Sequence, residues 1–452
     1  MSDWSPHIAP GVRPKYLGLV EALKADIQTG RLQTGDRLPS QRAIADHLEI
    51  DLTTVTRAFT EAQRQGLIEA HVGRGSFIRA GEDRTEAPAA LDLSMNSPPV
   101  VADLSSRIAE GIASLLQGGQ TSLQYQDTAG SPAARKAATR WLAPRLGTLE
   151  PEHILVTSGS QAALYAVCAL LMQSGDGLCV PAFTYPGIQA VAQQLDLTLL
   201  PVAMDDEGIL PDALERLCAT QRPQALYLVP TIDNPTTATL SEARRVEIAA
   251  ICRRHGLWII EDDPYGPLLE QPPAAIARLA PDITWHLSTL SKCVSPALRI
   301  AYCVCPNALD AERLASVLRA TQLMAPPLFS ALAARWIKDG SLGRFASAIR
   351  AENIARQALA REVLEDADIT ANPAASHLWL RLPNGRRAAD FADQARRFRL
   401  AVVPGDLFAT GAPTVQALRI SLGVAADRTA LKTALTLLDE LLMRAPAHRT
   451  LV

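Results

Sequence analysis

The sequence lacks any long apolar run. Its longest, such as residues 162–172, fall far short of the roughly 20 residues that cross a bilayer. Residues 1–15 are polar and proline-bearing, with no charged-then-apolar signal pattern, so a membrane-spanning or secreted protein is not expected. Cysteine supplies no framework either. Seven, an odd number, lie scattered without a metal-ligand spacing, which predicts reduced thiols in a cytoplasm and no metal site. Cys303 and Cys305 read as neighbours in a buried strand rather than a redox pair. Charge of one sign is also missing. The net of -3 gives no hint of a nucleic-acid partner, and residues 1–80 hold 10 Lys+Arg against 9 Asp+Glu, a net of +1. Any case for DNA must come from pattern. What is present is length: 452 residues, 48% hydrophobic and 20% charged, exceed what one core usually serves, so two or more domains are expected.

Residues 16–29 carry apolar side chains at 16, 17, 20, 23 and 27, a helical stripe ended by Gly30. After a turn-rich connection, Ser40 can cap a second short helix running to Leu48, with Ile44 and Leu48 on its buried face. Asp51 or Thr53 opens a third helix over 52–65, closed by Gly66. Residues 67–70 and 76–79 then read as two strands joined through Gly73, Arg74 and Gly75. Three helices and a hairpin make a winged helix-turn-helix plan. The stretch GRLQTGDRLPSQRAIADHLEIDLTTVTRAFTEAQRQGLIEAHVGRGSFI resembles the DNA-binding domain of the GntR regulators along its full length. That resemblance implies that the third helix enters the major groove of double-stranded operator DNA with Thr53 and Thr54 near its start. Arg42 and Arg37 would reach the backbone or base edges, and the wing tip Gly73, Arg74 and Gly75 would lie toward the minor groove. The chain departs from the family at Leu52 and Thr56, where basic residues are common. Residues 80–90 (AGEDRTEAPAA) have no apolar periodicity and read as a linker; ten residues reach at most roughly 35 Å.

The remainder is organised around residues 288–299, STLSKCVSPALR, which follow an expected strand over 283–287. A lysine that forms a Schiff base needs a desolvated pocket that lowers its pKa. A bound aldehyde with a phosphate and a pyridine nitrogen needs an anion cradle, a carboxylate facing the nitrogen, and donors around the ring. Lys292 has candidates for all three. The strand 154–157 leads into Ser158, Gly159, Ser160 and Gln161 at a helix N-terminus, a ready anion site. Thr289, Ser291 and Arg299 stand close to the lysine in sequence. A near-continuous apolar strand over 257–261 delivers Asp262, with Asp263 as the competing carboxylate.

With Tyr125 in LQYQDTAGSPAARKAATRWL, Tyr185 in VPAFTYPG, Asn234-Pro235, Asp262-Asp263-Pro264-Tyr265 and Arg419 in ALRIS, the chain from about Leu91 onward resembles the fold-type I pyridoxal-phosphate aminotransferases. It is most similar to the group containing kynurenine and α-aminoadipate aminotransferases. The resemblance implies that Tyr125 reaches the neighbouring subunit's cofactor phosphate and that Tyr185 stacks on the pyridine ring. Asn234 and Tyr265 would bond the phenolic oxygen, Asp262 the ring nitrogen, and Arg419 a ligand's α-carboxylate. The usual glycine two places after Pro235 is Thr237, so a slightly different turn is expected there. The glycine before the strand 376–380 is replaced by Ala375-Ser376. A long helix over 345–367 carries Arg350, Arg356 and Arg361, read as a solvated face.

The combination is identified as the architecture of the MocR-type GntR regulators. The expected fold class is α/β, with a winged helix-turn-helix over 1–79, the linker 80–90 and a fold-type I aminotransferase domain over 91–452. Within the last, a mostly parallel sheet forms a large domain of about 126–310, and residues 91–125 and 340–452 form a smaller α+β domain. The resemblance implies a head-to-tail homodimer that binds pyridoxal phosphate, operator DNA and an amino acid or amine effector. The alternative is a working aminotransferase with an appended DNA-binding domain, and a third reading makes the lysine a sensor of cofactor supply.

Overall fold

The structure is a computed structural model that describes residues 4–6, 15–29, 31–32, 35–64, 67–71, 75–78, 91–117, 123–383 and 385–443. Gly30, Gly66, Gly73, Arg74, Arg79 and the linker residues 80–90 lie outside the described residues. The chain divides into two units, Met1–Ala90 and Leu91–Val452.

In the first unit the apolar stripe folds as the helix Lys15–Gln28, followed by Gln41–Leu48 and Leu52–Arg64. Ser40 caps the second helix by accepting from the Ala43 amide at 3.2 Å. Asp51, rather than Thr53, caps the third, accepting from the Thr53 amide at 2.7 Å and satisfying a donor that the first turn leaves open. Leu19, Leu23, Ile44, Val55, Phe59 and Ile78 bury together as the core. The strands Ile68–His71 and Gly75–Ile78 pair antiparallel. Trp4 packs into the same core and donates from Nε1 to Asp26 at 2.8 Å.

In the second unit a seven-stranded sheet runs in the order Ile154–Thr157, Ala301–Val304, Thr284–Thr289, Trp258–Asp262, Ala225–Leu228, Gly177–Pro181, Thr198–Val202. The sheet is mixed: Ala301–Val304 is antiparallel to both neighbours, and the other pairings are parallel. Its central strands are buried on both faces, which explains their near-continuous apolar sequences. The strand before the lysine extends to Thr289, two residues beyond the expected end. A second sheet, ordered Ile369–Thr370, His377–Arg381, Ala417–Ser421, Val403–Pro404, is antiparallel throughout. It has its own core, with Leu378, Leu380, Phe391, Leu418 and Leu435.

Two expectations need correction. The helix Leu104–Gln117 does not join the smaller core. Leu104 is buried in the large one, and Gly111 lies so close to Leu332 that any side chain there would collide with it. Residues 91–93 belong with the smaller domain: the strand Leu91–Asp92 pairs with Leu400–Ala401, and Leu93 is buried in its core. The arginines of the long helix, Ser341–Val363, are not one solvated face. This helix contributes Leu342 and Ile349 to the large core and Ala360 to the small one, so its buried side runs past two cores. Arg356 is buried and donates to the carbonyls of Leu422 at 2.7 Å and Ala425 at 2.8 Å, with Glu352 pairing its Nε at 2.7 Å. Arg350 pairs with Glu270 at 3.0 Å, and of Arg350, Arg356 and Arg361 the last alone is exposed.

Candidate functional site

Glu261, Asp262 and Asp263 leave the end of one central strand, and their surroundings divide them. Asp263 Oδ2 accepts from Arg145 Nε at 2.6 Å and its Oδ1 from the Gly266 amide at 3.1 Å, so it is consumed by structure. Asp262 accepts from the Tyr227 hydroxyl at 3.1 Å through Oδ2, and its buried Oδ1 has no hydrogen-bond partner among the described residues. Burial pushes the Asp262 carboxyl up to about 7; the bond from Tyr227 opposes this and the charge of Asp263 adds to it. The oxygen available to a ligand is therefore on Asp262.

Lys292 sits just past the neighbouring strand and donates from Nζ to the backbone carbonyl of Asn96. Burial, and then the positive Arg419, push its amine down to about 8, against the opposing charge of Asp262. An amine in that range is partly neutral at physiological pH and can act as a nucleophile.

The anion cradle forms where the helix Ser160–Leu171 starts, with Gly159 at its N-cap at φ 97°. Arg299 Nη2 donates to the Ser158 carbonyl at 3.0 Å. A Cβ on Gly159 would stand 2.6 Å from that guanidinium nitrogen, so only glycine lets the cation lie over the helix end. Thr289 and Ser291 are joined Oγ1 to Oγ at 3.0 Å. The Gln161 side chain turns aside to donate to the Gly187 carbonyl at 3.0 Å. It thereby fixes the loop of the half-buried Tyr185, the residue that precedes the helix Pro186–Gln194.

Arg419 reaches the site from the smaller sheet. Its Nη1 donates to Asn234 Oδ1 at 3.2 Å and its Nη2 to the Ser94 carbonyl, while the buried Nε has no partner among the described residues. The guanidinium lies 5.0 Å from the centre of the Phe408 ring. Burial lowers its pKa, yet an arginine stays charged. Asn234 is held on a backbone that keeps, against expectation, the left-handed turn of a glycine: Thr237 has φ 63° and Ile232 has φ 54°. β-Branched residues in that region are strained.

Four further contributors carry no motif, and of these the sequence drew notice only to Ser376, as part of the replacement for a glycine. Tyr227 orients Asp262. Asn96 donates from Nδ2 to the Tyr265 hydroxyl at 2.7 Å. Ser376, at the place of the absent glycine, bonds Asn96 Oδ1 at 3.2 Å. His377 donates from Nε2 to the Asp233 carbonyl at 3.0 Å and packs 5.7 Å, centre to centre, from the Tyr265 ring. Burial pushes the His377 imidazole down to about 3, which keeps it neutral. Tyr125 is not gathered into this pocket; its side chain is 81% exposed.

In the first unit, Arg42 and Thr53 are exposed and Thr54 is half-buried at the start of the third helix. The Thr53 hydroxyl is engaged by Asp51. Arg37 lies along Gly75, where a Cβ would come within 3.1 Å of its Nε. Thr56, in place of a basic residue, ties the third helix to Gln41 of the second at 2.9 Å.

Residues 89–438 match the family model "Aminotransferase class I and II". The chain belongs to that family. Residues 15–78 match "Bacterial regulatory proteins, gntR family", so this aminotransferase-family chain has the two-part MocR-type architecture. Among its relatives, an uncharacterized HTH-type transcriptional regulator of Bacillus subtilis, YdeF, is 30% identical over 423 residues, 90% of each chain. A 2-aminoadipate transaminase of Thermus thermophilus is 30% identical over 361 residues, covering 77% of this chain and 89% of the relative. The solved structure of LysN, an α-aminoadipate aminotransferase from Thermus thermophilus complexed with N-(5'-phosphopyridoxyl)-L-leucine, superposes with TM-score 0.72 at 26% identity. That likeness covers 78% of this chain and 92% of the other. Membership implies pyridoxal phosphate, and the residues fit it. The orphaned Asp262 Oδ1 suits a protonated ring nitrogen, the lowered Lys292 amine suits an aldehyde, and the Gly159–Arg299 cradle suits a phosphate.

Proposed function

We propose that the chain is a DNA-binding transcriptional regulator whose aminotransferase-family unit senses an amino acid or amine through pyridoxal phosphate. The observation that carries this reading is the union, in one chain, of a gntR-family unit with an aminotransferase-family unit whose pocket groups suit the cofactor. Support comes from a relative named as an HTH-type transcriptional regulator that matches 90% of the chain.

Pyridoxal phosphate, when bound, supplies an aldehyde for amines and an electron-accepting ring. The chain's own groups do the rest. Arg299, with Ser158, Gly159, Ser160, Thr289 and Ser291, would hold the phosphate, while Asp262 would keep the ring nitrogen protonated and Lys292 would carry or release the cofactor. Arg419 would grip the effector's carboxylate in place of the Ser94 carbonyl and Asn234. Tyr185 would cover the ring. Arg37, Arg42, Thr53, Thr54 and the wing would meet DNA, with Arg42 free to reach phosphates. A homodimer, head to tail, would explain why Tyr125 and Leu123 are 81% and 60% exposed: a partner's site would receive the tyrosine. The described residues contain no helix long and apolar enough to cross a membrane, and a cytoplasmic location fits DNA as partner.

A second reading, a working aminotransferase, is favoured by one observation: Asn234, Asp262, Tyr265, Lys292, Arg299 and Arg419 are all present. Two measurements separate the readings. With DNA fragments selected by the chain itself, amino acids that alter the visible spectrum of bound pyridoxal phosphate should change DNA affinity by about 5- to 150-fold. DNA should change amino-acid affinity by the same factor. Unchanged DNA affinity across a panel of reactive amino acids and amines, together with sustained turnover of amino donor and keto acid, would establish the second reading.

A further inference from the structure

We propose that Asn96 is a positioning residue of the cofactor site, which donates its amide hydrogen to Tyr265 and so directs the tyrosine's own proton into the site. The proposal deepens the functional reading above and rests on it.

Asn96 lies in the sequence LDLSMNSPP and is buried. Three of its polar groups are engaged. Nδ2 reaches the Tyr265 hydroxyl at 2.7 Å, Oδ1 meets the Ser376 hydroxyl at 3.2 Å, and the backbone carbonyl accepts from Lys292 Nζ. Lys292 and Tyr265, which stand 27 places apart in sequence, are thus joined through a single residue of a third segment. That segment is itself rigid. The Leu91 amide donates to the Arg399 carbonyl at 2.9 Å, the Leu93 amide to Ala401 at 2.8 Å, and the Ser421 amide to the Leu93 carbonyl at 2.8 Å. Gly423 packs so tightly on the Ser97 carbonyl that a side chain there would collide with it.

A tyrosine hydroxyl has one proton and two acceptor positions. An amide N–H on the oxygen occupies one acceptor position and leaves the proton for another partner. Tyr265 is enclosed, with 1% of its surface exposed, and no bond from its hydroxyl to a described protein acceptor competes for that proton. The proton is therefore available to an oxygen of the bound cofactor. The donor on the tyrosine oxygen also polarises the O–H and strengthens the bond it makes. Ser376 holds the amide in the plane that this requires, which gives the serine at the place of the missing glycine a part in the site. The Lys292 contact adds a second consequence. An amine released from the cofactor has an acceptor ready at the Asn96 carbonyl, in the same segment that aims Tyr265.

The test uses the full chain loaded with pyridoxal phosphate and reads the pH midpoint of its visible absorption band, with cofactor affinity measured in parallel. Tyr265 donating to the cofactor's phenolic oxygen lowers that midpoint. Asn96→Asp replaces the donor by an acceptor that captures the tyrosine proton, so the midpoint should rise by about one pH unit, the size of one charge-assisted hydrogen bond. Asn96→Ala should raise it by less. In a Tyr265→Phe background the Asn96→Ala shift should vanish, because the asparagine acts through the tyrosine. The alanine series also decides the matter if Asn96→Asp fails to fold. Three outcomes overturn the proposal: an unmoved midpoint in Asn96→Ala, a shift of equal size with Tyr265 absent, or Asn96→Asp behaving as wild type. A wild-type chain that takes up no pyridoxal phosphate at all overturns the functional reading as well. A normal wild-type band with an indifferent Asn96 overturns this proposal alone.

Discussion

Glu261, Asp262 and Asp263 are three consecutive acids on one strand end, all buried, and they show how partners alone separate scaffolding from chemistry. Glu261 accepts from the amides of Ile276 at 2.9 Å and Ala277 at 2.8 Å and from His286 at 3.0 Å, with Arg245 at 3.9 Å. Burial alone would raise its carboxyl, but the His286 bond and the nearby arginines hold it well below the usual range. Asp263 is closed by Arg145 and Gly266. Arg145 and Arg245 share the Thr231 hydroxyl at 2.8 and 3.0 Å, so the outer two acids belong to one network. Asp262 stands between them with an oxygen to spare. A fully paired buried charge is a structural member, and an underpaired one is poised for a ligand.

The comparison is broken most forcefully at Asp263. Asp263→Ala leaves the Arg145 guanidinium buried and unpaired and should cost about 3–5 kcal/mol of unfolding free energy. A chemical denaturation curve measures this. Asp262→Asn should do the opposite in the cofactor-free chain. A carboxyl raised in the fold from its ordinary 3.8 to about 7 contributes stability that is present below pH 4 and lost as pH rises through 7. The variant should therefore match wild type near pH 4 and exceed it near pH 8, by on the order of 2–4 kcal/mol.

Lys292 sharpens the contrast from the other side. Its amine is depressed to about 8, so the neutral, reactive share falls about tenfold for each pH unit below 8. The rate at which cofactor-free protein takes up pyridoxal phosphate should follow that slope and flatten above pH 8. A rate flat from pH 6 to 8 would show that the pocket does not lower the amine.

The smallest effect concerns the loop of Asn234. Thr237→Gly removes a β-branched residue from φ 63° and an unpaired buried hydroxyl. It should raise stability by about 1 kcal/mol, read as a higher melting temperature. A loss instead would mean that the extra freedom of the unfolded glycine chain outweighs the strain.

Much of this was legible in the sequence. The first three helices announced themselves because an apolar stripe, a Ser40 cap and short connections are local signals. The strand to Asp262 did so as well, being apolar on both faces. The resemblance pointed to Asp262 rather than Asp263, and in the structure Arg145 engages Asp263 from 118 positions away. Contacts of that kind leave no local trace. Tyr227 looks like one more residue of an apolar strand, and Asn96 lies 169 positions from Tyr265. Arg356 was misread for a related reason: charge spacing along a helix does not tell how many cores the helix touches. At Thr237 the residue type suggested a changed turn, but the surroundings of Asn234 impose the glycine-like geometry regardless.

The most direct measurement compares the visible spectrum and affinity of pyridoxal phosphate bound to wild type, Asp262→Asn and Asp263→Asn, each held below its melting temperature. The account predicts that Asp263→Asn, though less stable, keeps the wild-type band and affinity. Asp262→Asn should fold well yet bind about 10- to 100-fold more weakly with a displaced band, as expected for losing one charge-assisted hydrogen bond. Equal losses in both variants, or the reverse order, would contradict the assignment of Asp262 as the acid that meets the cofactor.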